Sequence, residues 1–165
     1  MKNIILKALN QTDFAPFGDV IEITNQSKSM LINNGTTERF YDLANITTSG
    51  TNAKTAISIF RAKPYTLPYT LTFMERHPFG SQMFMPLVPS RFLAIVASDK
   101  NGMPSDPLAF MVAPNQGINF YQNIWHGALV ALDEERDFLI VDREGEEDNL
   151  EIYNFENHYR IKEND

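Results

Sequence analysis

Two polar side chains stand where an apolar row should continue. In the stretch YTLTFMERHPFGSQMFMP (69–86), Tyr69, Leu71, Phe73, Glu75 and His77 share one parity, and Thr70, Thr72, Met74 and Arg76 the other. Alternate residues of a β-strand share a face, so Glu75 and His77 extend a row begun by three large apolar side chains. Burying such groups costs several kcal/mol unless they are paired, hydrogen-bonded or coordinating an ion. Pro78 and Gly80 break the strand, and Gln82–Pro86 reads as a second one. The expected hairpin gathers Glu75, His77 and Gln82. An imidazole beside a carboxylate can act as an acid–base pair or hold a divalent cation. Arg61 is a second inward-reading charge, because it shares parity with Ile57 and Ile59 in the 56–62 strand.

The spacing Glu75-x-His77-x4-Gln82 resembles the first motif of the cupins, small double-stranded β-barrels that carry H-x-H-x(3–4)-E and a later His. Over the whole chain the resemblance is to the ureidoglycolate lyases, long labelled ureidoglycolate hydrolases. It is carried by Ile32-Asn33-Asn34-Gly35 with Glu38-Arg39, by SIFRAKP (58–64), by residues 75–86, by QGINFYQNIWH (116–126) and by DFLIVDR (137–143). The resemblance implies a cupin-like barrel that splits (S)-ureidoglycolate into glyoxylate and urea during allantoin and purine breakdown. That reaction consumes no water. A base takes the carbinol proton, the C–N bond breaks as the carbonyl forms, and an acid protonates the departing urea nitrogen.

Only three histidines are present. His126, between Trp125 and Gly127, matches the family string and is expected to be the base or a metal ligand. His77 and Glu75 are the remaining acid–base candidates. A cation site would comprise Glu75, His77, Gln82 and His126, a set suited to Ni²⁺, Mn²⁺ or Fe²⁺. The set departs from the cupin motif at two of its four places, Glu75 for His and Gln82 for Glu, so catalysis with and without a metal both stay open. The substrate carboxylate calls for the planar fork of an arginine, Arg61 first and Arg39 second. Asn119 and Tyr121 are expected donors to the ureido or hydroxyl oxygen. Arg76, on the face away from Glu75, reads as a surface or interface ion pair, and His158 has no expected role. Two other chemistries compete with the lyase: an amidohydrolase releasing ammonia, and a non-catalytic cupin that binds a small carboxylate.

The elements needed to hold these groups are strands. Short apolar runs with turn signals every 8–12 residues indicate an all-β barrel with few short helices. Phe92–Ser98 is apolar without interruption, as in a strand buried on both faces. Thr12 is the expected cap of a helical turn ended by Gly18, Asn33-Asn34-Gly35 is a turn, and 46–54 reads as flexible. The tail from Asn149 is open between strand and helix. One domain over 1–165 is expected from the length.

Composition narrows the partners. The net charge is −7, and residues 133–165 hold 13 acids against 4 bases, so nucleic acid is not an expected partner. No apolar run reaches membrane-spanning length, and no cysteine is present. A cytoplasmic enzyme is therefore expected, and a homodimer follows from the cupin resemblance.

Overall fold

Two sheets face each other across an apolar interior. The computed structural model describes residues 1–164; Asp165, the end of the expected tail and domain, lies outside the described residues. The larger sheet runs in the order Lys2–Ile5, Glu151–Lys162, Tyr69–Arg76, Trp125–His126, Phe92–Ala97, Leu108–Val112 and Lys7–Ala8, with Val130–Ala131 also paired to Phe92–Ala97. The smaller sheet runs Gly18–Ile21, Gly117–Phe120, Gln82–Pro86, Arg136–Glu144 and Lys54–Ala62. Together they form a nearly closed, cupin-like barrel. The helical elements among the described residues are one turn each, Gln11–Phe14 and Asn33–Gly35. None is long and apolar enough to cross a membrane.

Alternation decides which side chains fill the barrel. Phe84, Ile118, Phe120, Phe138 and Ile140 from the smaller sheet meet Phe92, Ala94, Val96, Phe110 and Val112 from the larger one. Phe14 closes one end, packed edge-on against Phe110 at 5.8 Å. Burying such a ring contributes roughly 1.5–3 kcal/mol. The Phe92–Ala97 strand is buried at every position, as its unbroken apolar run predicts. Its other parity, Leu93, Ile95 and Ala97, joins a second core with Leu71, Met74, Trp125 and Ile161 on the outer side of the larger sheet. Tyr153, Phe155 and Tyr159 of the C-terminal strand cover that core, so the tail is a strand.

Several local expectations are corrected. Asn10, not Thr12, caps the short helix, its side-chain oxygen accepting from the Asp13 N–H at 2.9 Å. Gly18 does not end that helix. It lies in the next strand opposite Phe120, where a Cβ would overlap the Asn119 carbonyl oxygen. Residues 46–54 are fastened rather than free: Thr47 and Ser81 exchange hydrogen bonds, Ser49 N–H donates to the Phe79 carbonyl, and Thr51 N–H donates to Glu147. The expected hairpin is absent. Tyr69–Arg76 and Gln82–Pro86 lie in different sheets, because the turn at 77–81 carries the chain from one wall of the barrel to the other. Ile57, Ile59 and Arg61 point outward, with Ile57 73% and Ile59 62% exposed. Parity sorts a strand into two faces without saying which is inside, and here both faces are apolar.

Candidate functional site

The Tyr69–Arg76 strand changes parity along its length. Its pairing with the C-terminal strand is irregular between Asn154 and Tyr159, opposite residues 73 and 71. Leu71 and Met74 therefore both bury in the outer core, and Glu75 does not continue the face of Leu71. Glu75 instead pairs across the sheet with His126. Trp125 lies in the outer core, so its neighbour His126 turns into the barrel, where its ring stacks on Phe120 at 4.4 Å and 6°.

Gln82 enters from the opposite wall, across from Phe120 and on the same face as Phe84. His77, in the connecting turn, links the two walls. Its Nδ1 lies 2.7 Å from the Asn149 carbonyl oxygen and its Nε2 3.2 Å from Gln82 Oε1. The His77 and His126 rings are 5.1 Å apart. Glu75, His77 and His126 each offer a ligand atom within 4.8 Å of the other two. The structure thus brings together four of the residues expected from sequence: Glu75 before the turn, His77 within it, Gln82 after it and His126 from a separate strand of the larger sheet.

The protonation of His126 follows from its neighbours. Its Nδ1 lies 3.0 Å from the Gly127 carbonyl oxygen, which can only accept, so Nδ1 carries the proton. Nε2 is then a bare lone pair, buried and without a hydrogen-bond partner. Complete burial, together with neighbouring His77, pushes the imidazole down to about 3. A neutral ring with a free Nε2 is a good metal ligand or hydrogen-bond acceptor and a poor proton reservoir. Burial pushes the Glu75 carboxyl up, against a smaller opposing effect of His77. A carboxylate raised in this way is a better base than an exposed one. The donor set fits a divalent cation, because an orphaned buried nitrogen, a carboxylate and a second imidazole converge.

The other expected residues lie elsewhere. Arg61 binds Asp137 through two nitrogens at 2.8 and 2.9 Å on the outer surface. Arg39 stands on the exposed hairpin formed by Ser29–Ile32 and Thr37–Phe40, 5.5 Å over the Tyr41 ring. Arg76 forms an ion-pair cluster with Asp99 and Glu151 and lies 4.5 Å over Trp125, in line with its expected role. Asn119 and Tyr121 converge on Asp19, at 3.0 and 2.7 Å, on the face of their strand away from Phe120. There burial, reinforced by Asp19, pushes the Tyr121 phenol up to about 12. Tyr121 and Asp19 line an open cavity of about 470 Å³ with Lys28 and Asp42, distinct in position from the histidine cluster.

Sequence reading missed Asp142, Asn149 and Phe120. Asp142 was legible in principle, since Phe138, Ile140 and Asp142 form an inward row that ends in a carboxylate. Asn149 contributes its carbonyl, which no side-chain pattern can flag.

The chain is similar to several known proteins. A family model described as ureidoglycolate lyase matches residues 1–162. The chain is 52% identical over 161 residues to a ureidoglycolate lyase of Chelativorans sp. (strain BNC1), covering 98% of this chain and 97% of the relative. It is 48% identical over 161 residues to a ureidoglycolate lyase of Mesorhizobium japonicum, covering 98% of each. Among solved structures, a dTDP sugar isomerase from Desulfovibrio desulfuricans G20 superposes with a TM-score of 0.47 at 12% identity, over 81% of this chain and 82% of that one.

Proposed function

The chain belongs to the ureidoglycolate lyase family, and on that premise we propose that Glu75, His77 and His126 form the centre where ureidoglycolate is split into glyoxylate and urea. The observation that carries this reading is the bare, buried Nε2 of His126 within 4.8 Å of a carboxylate and a second imidazole. In this reading Glu75 takes the proton of the carbinol hydroxyl. His126 Nε2, the other free acceptor, accepts from a ureido N–H and orients the substrate. His77, fixed at both ring nitrogens, delivers a proton to the departing urea nitrogen as the carbonyl forms. Phe120 and the surrounding apolar wall keep water from the reacting carbon.

The substrate carboxylate needs positive charge, and three candidate arginines are paired: Arg61 with Asp137, Arg76 with Asp99 and Glu151, Arg143 with Glu147. In the alternative reading Glu75, His77, His126 and the Gln82 oxygen would hold a divalent cation such as Ni²⁺, which would supply that charge as a Lewis acid in place of the separate proton roles given above. Purified protein is therefore assayed with racemic ureidoglycolate, following glyoxylate, urea and ammonia separately, with and without a chelator. Equal glyoxylate and urea without primary ammonia is the expected result. Ammonia in place of urea would overturn the lyase reading, and turnover unaffected by complete metal removal would overturn the cation.

The same proposal includes a homodimer in the cytoplasm, acting in purine and allantoin breakdown. Its support is the outer face of the smaller sheet. Ile57 pairs with Val141 and Ile59 with Leu139, which in turn neighbour Met83 and Met85. A second copy is the occupant that fits, since a two-fold contact lets such a patch cover itself. Sedimentation velocity should give a dimer for the wild type and a monomer for Ile57→Lys/Ile59→Lys. A dimer that survives both charges would exclude this face.

A further inference from the structure

We propose that Asp142 is a positioning residue for this site, holding the Gln82 amide so that its oxygen faces His77. The inference rests on the lyase reading for its kinetic consequence, and on geometry alone for the arrangement itself.

Asp142 ends an inward row. Phe138 and Ile140, four and two residues earlier, are both fully buried in the barrel. Ile140 pairs with Phe84, and continuing that register by two residues sets Asp142 opposite Gln82. Both side chains lie on the inward faces of their strands, and the neighbouring Gln82 amide opposes the burial that raises the Asp142 carboxyl. Gln82 is itself 7% exposed, so its amide has little water to turn to.

An amide has one donor end and one acceptor end. A carboxylate can take only the N–H end, which leaves Oε1 for His77 Nε2 at 3.2 Å. His77 Nδ1 is already held by the Asn149 carbonyl at 2.7 Å. The imidazole is therefore gripped at both nitrogens, and the grip at Nε2 is set from two residues away. Without Asp142 the Gln82 amide could flip and present N–H to the ring, reversing which partner donates. The requirement is the same whether the Gln82 oxygen meets an N–H of His77 or faces a cation beside it. The titratable groups around Asp142 are His77 and Glu144.

Outer partners of this kind typically contribute about 10–100-fold to activity. The test compares Asp142→Leu, Asp142→Asn, Gln82→Ala and the Asp142→Leu/Gln82→Ala double variant in steady-state ureidoglycolate cleavage. Asp142→Leu should lower kcat roughly 10–100-fold with KM little changed. Asp142→Asn, whose amide oxygen can still accept from Gln82, should restore most of the rate. In the Gln82→Ala background the Leu substitution should cost almost nothing more, because the partner it acts through is gone. Multiplicative losses, or an unchanged kcat in Asp142→Leu, would overturn the role.

A second readout needs no turnover. In ¹H–¹⁵N spectra the Gln82 side-chain amide pair should exchange slowly with solvent in the wild type and in Asp142→Asn. It should shift and exchange faster in Asp142→Leu. A Gln82 pair that exchanges freely in the wild type would overturn the arrangement even if the Leu variant failed to fold. If wild-type protein does not cleave ureidoglycolate, the lyase reading falls and the amide spectra alone decide the place of Asp142.

Discussion

His126→Ala should lower kcat by about 10²–10⁴-fold while circular dichroism and the thermal midpoint stay close to those of the wild type. The activity loss follows from removing the one bare nitrogen that faces Glu75 and His77. The mild effect on folding follows from opposing contributions. The substitution opens space beside Phe120 and removes a stacked ring contact. It also removes a buried acceptor with no hydrogen-bond partner, whose desolvation costs about 1–3 kcal/mol. Turnover retained in this variant would take His126 out of the mechanism. The same pair of proteins tests the pH linkage. In the unfolded chain His126 takes up a proton near its ordinary 6.5, whereas in the fold it resists until about 3. Between those values the unfolded state binds more protons, so this group's contribution makes stability fall as pH falls, by up to about 1.4 kcal/mol per unit. Glu75 and Asp142, raised by burial, have the opposite sign. The wild type minus the Ala variant isolates His126. Urea unfolding at several pH values between 4 and 7 should show a steeper acid-side loss in the wild type, and parallel curves would mean that the folded imidazole protonates normally.

What could be read from sequence depended on how unusual each signal was. Glu75 and His77 stood out because charge interrupted an apolar row, and His126 because only three histidines exist and its flanks matched a family string. The two-sided burial of Phe92–Ala97 needed no alternation to be seen. Arg61 misled because Ile57 and Ile59 form an apolar row on the outer face, and hydrophobicity does not distinguish a core from a surface built to be covered. Gln82 came from the expected stretch but by a different route, since the Pro78–Gly80 turn chemistry is compatible with closing a hairpin or crossing to the facing sheet. The parity break near Phe73 depends on how the chain's far end, Asn154 to Tyr159, pairs with it. A contact between residues more than 80 positions apart leaves no trace in local pattern. The N-terminal strands, two to four residues each, are too short to carry a period.

Arg143→Met should destabilise the protein by about 3–5 kcal/mol, the cost of leaving buried polar partners without their charge, and lower the thermal midpoint by roughly 10 °C. The Arg143 side chain is 1% exposed. Its Nε donates to the Ser49 carbonyl and its Nη1 to the Glu147 carbonyl, both at 3.0 Å, and Nη2 pairs with the Glu147 carboxylate. The guanidinium also lies 5.4 Å from the Phe79 ring centre. Small residues make room for it: a Cβ on Gly80 would lie 2.6 Å from the Arg143 Cβ, and one on Gly145 would overlap the guanidinium itself. One side chain thus ties the 46–54 segment, the turn at 77–81 and the loop after Glu144 into a single clasp. That clasp matters to the chemistry because the same loop delivers the Asn149 carbonyl to His77 Nδ1, and the Asn149 side chain accepts from the Phe79 N–H at 2.8 Å. Methionine keeps much of the aliphatic length, so the loss should come from the guanidinium's bonds and not from a large cavity. Residual folded Arg143→Met should accordingly show a lowered kcat at temperatures well below its midpoint, because His77 loses the rigidity of one of its two anchors. Full activity per folded molecule would make Arg143 a fold residue alone, and an unchanged midpoint would show that the clasp is not needed to hold the three segments together.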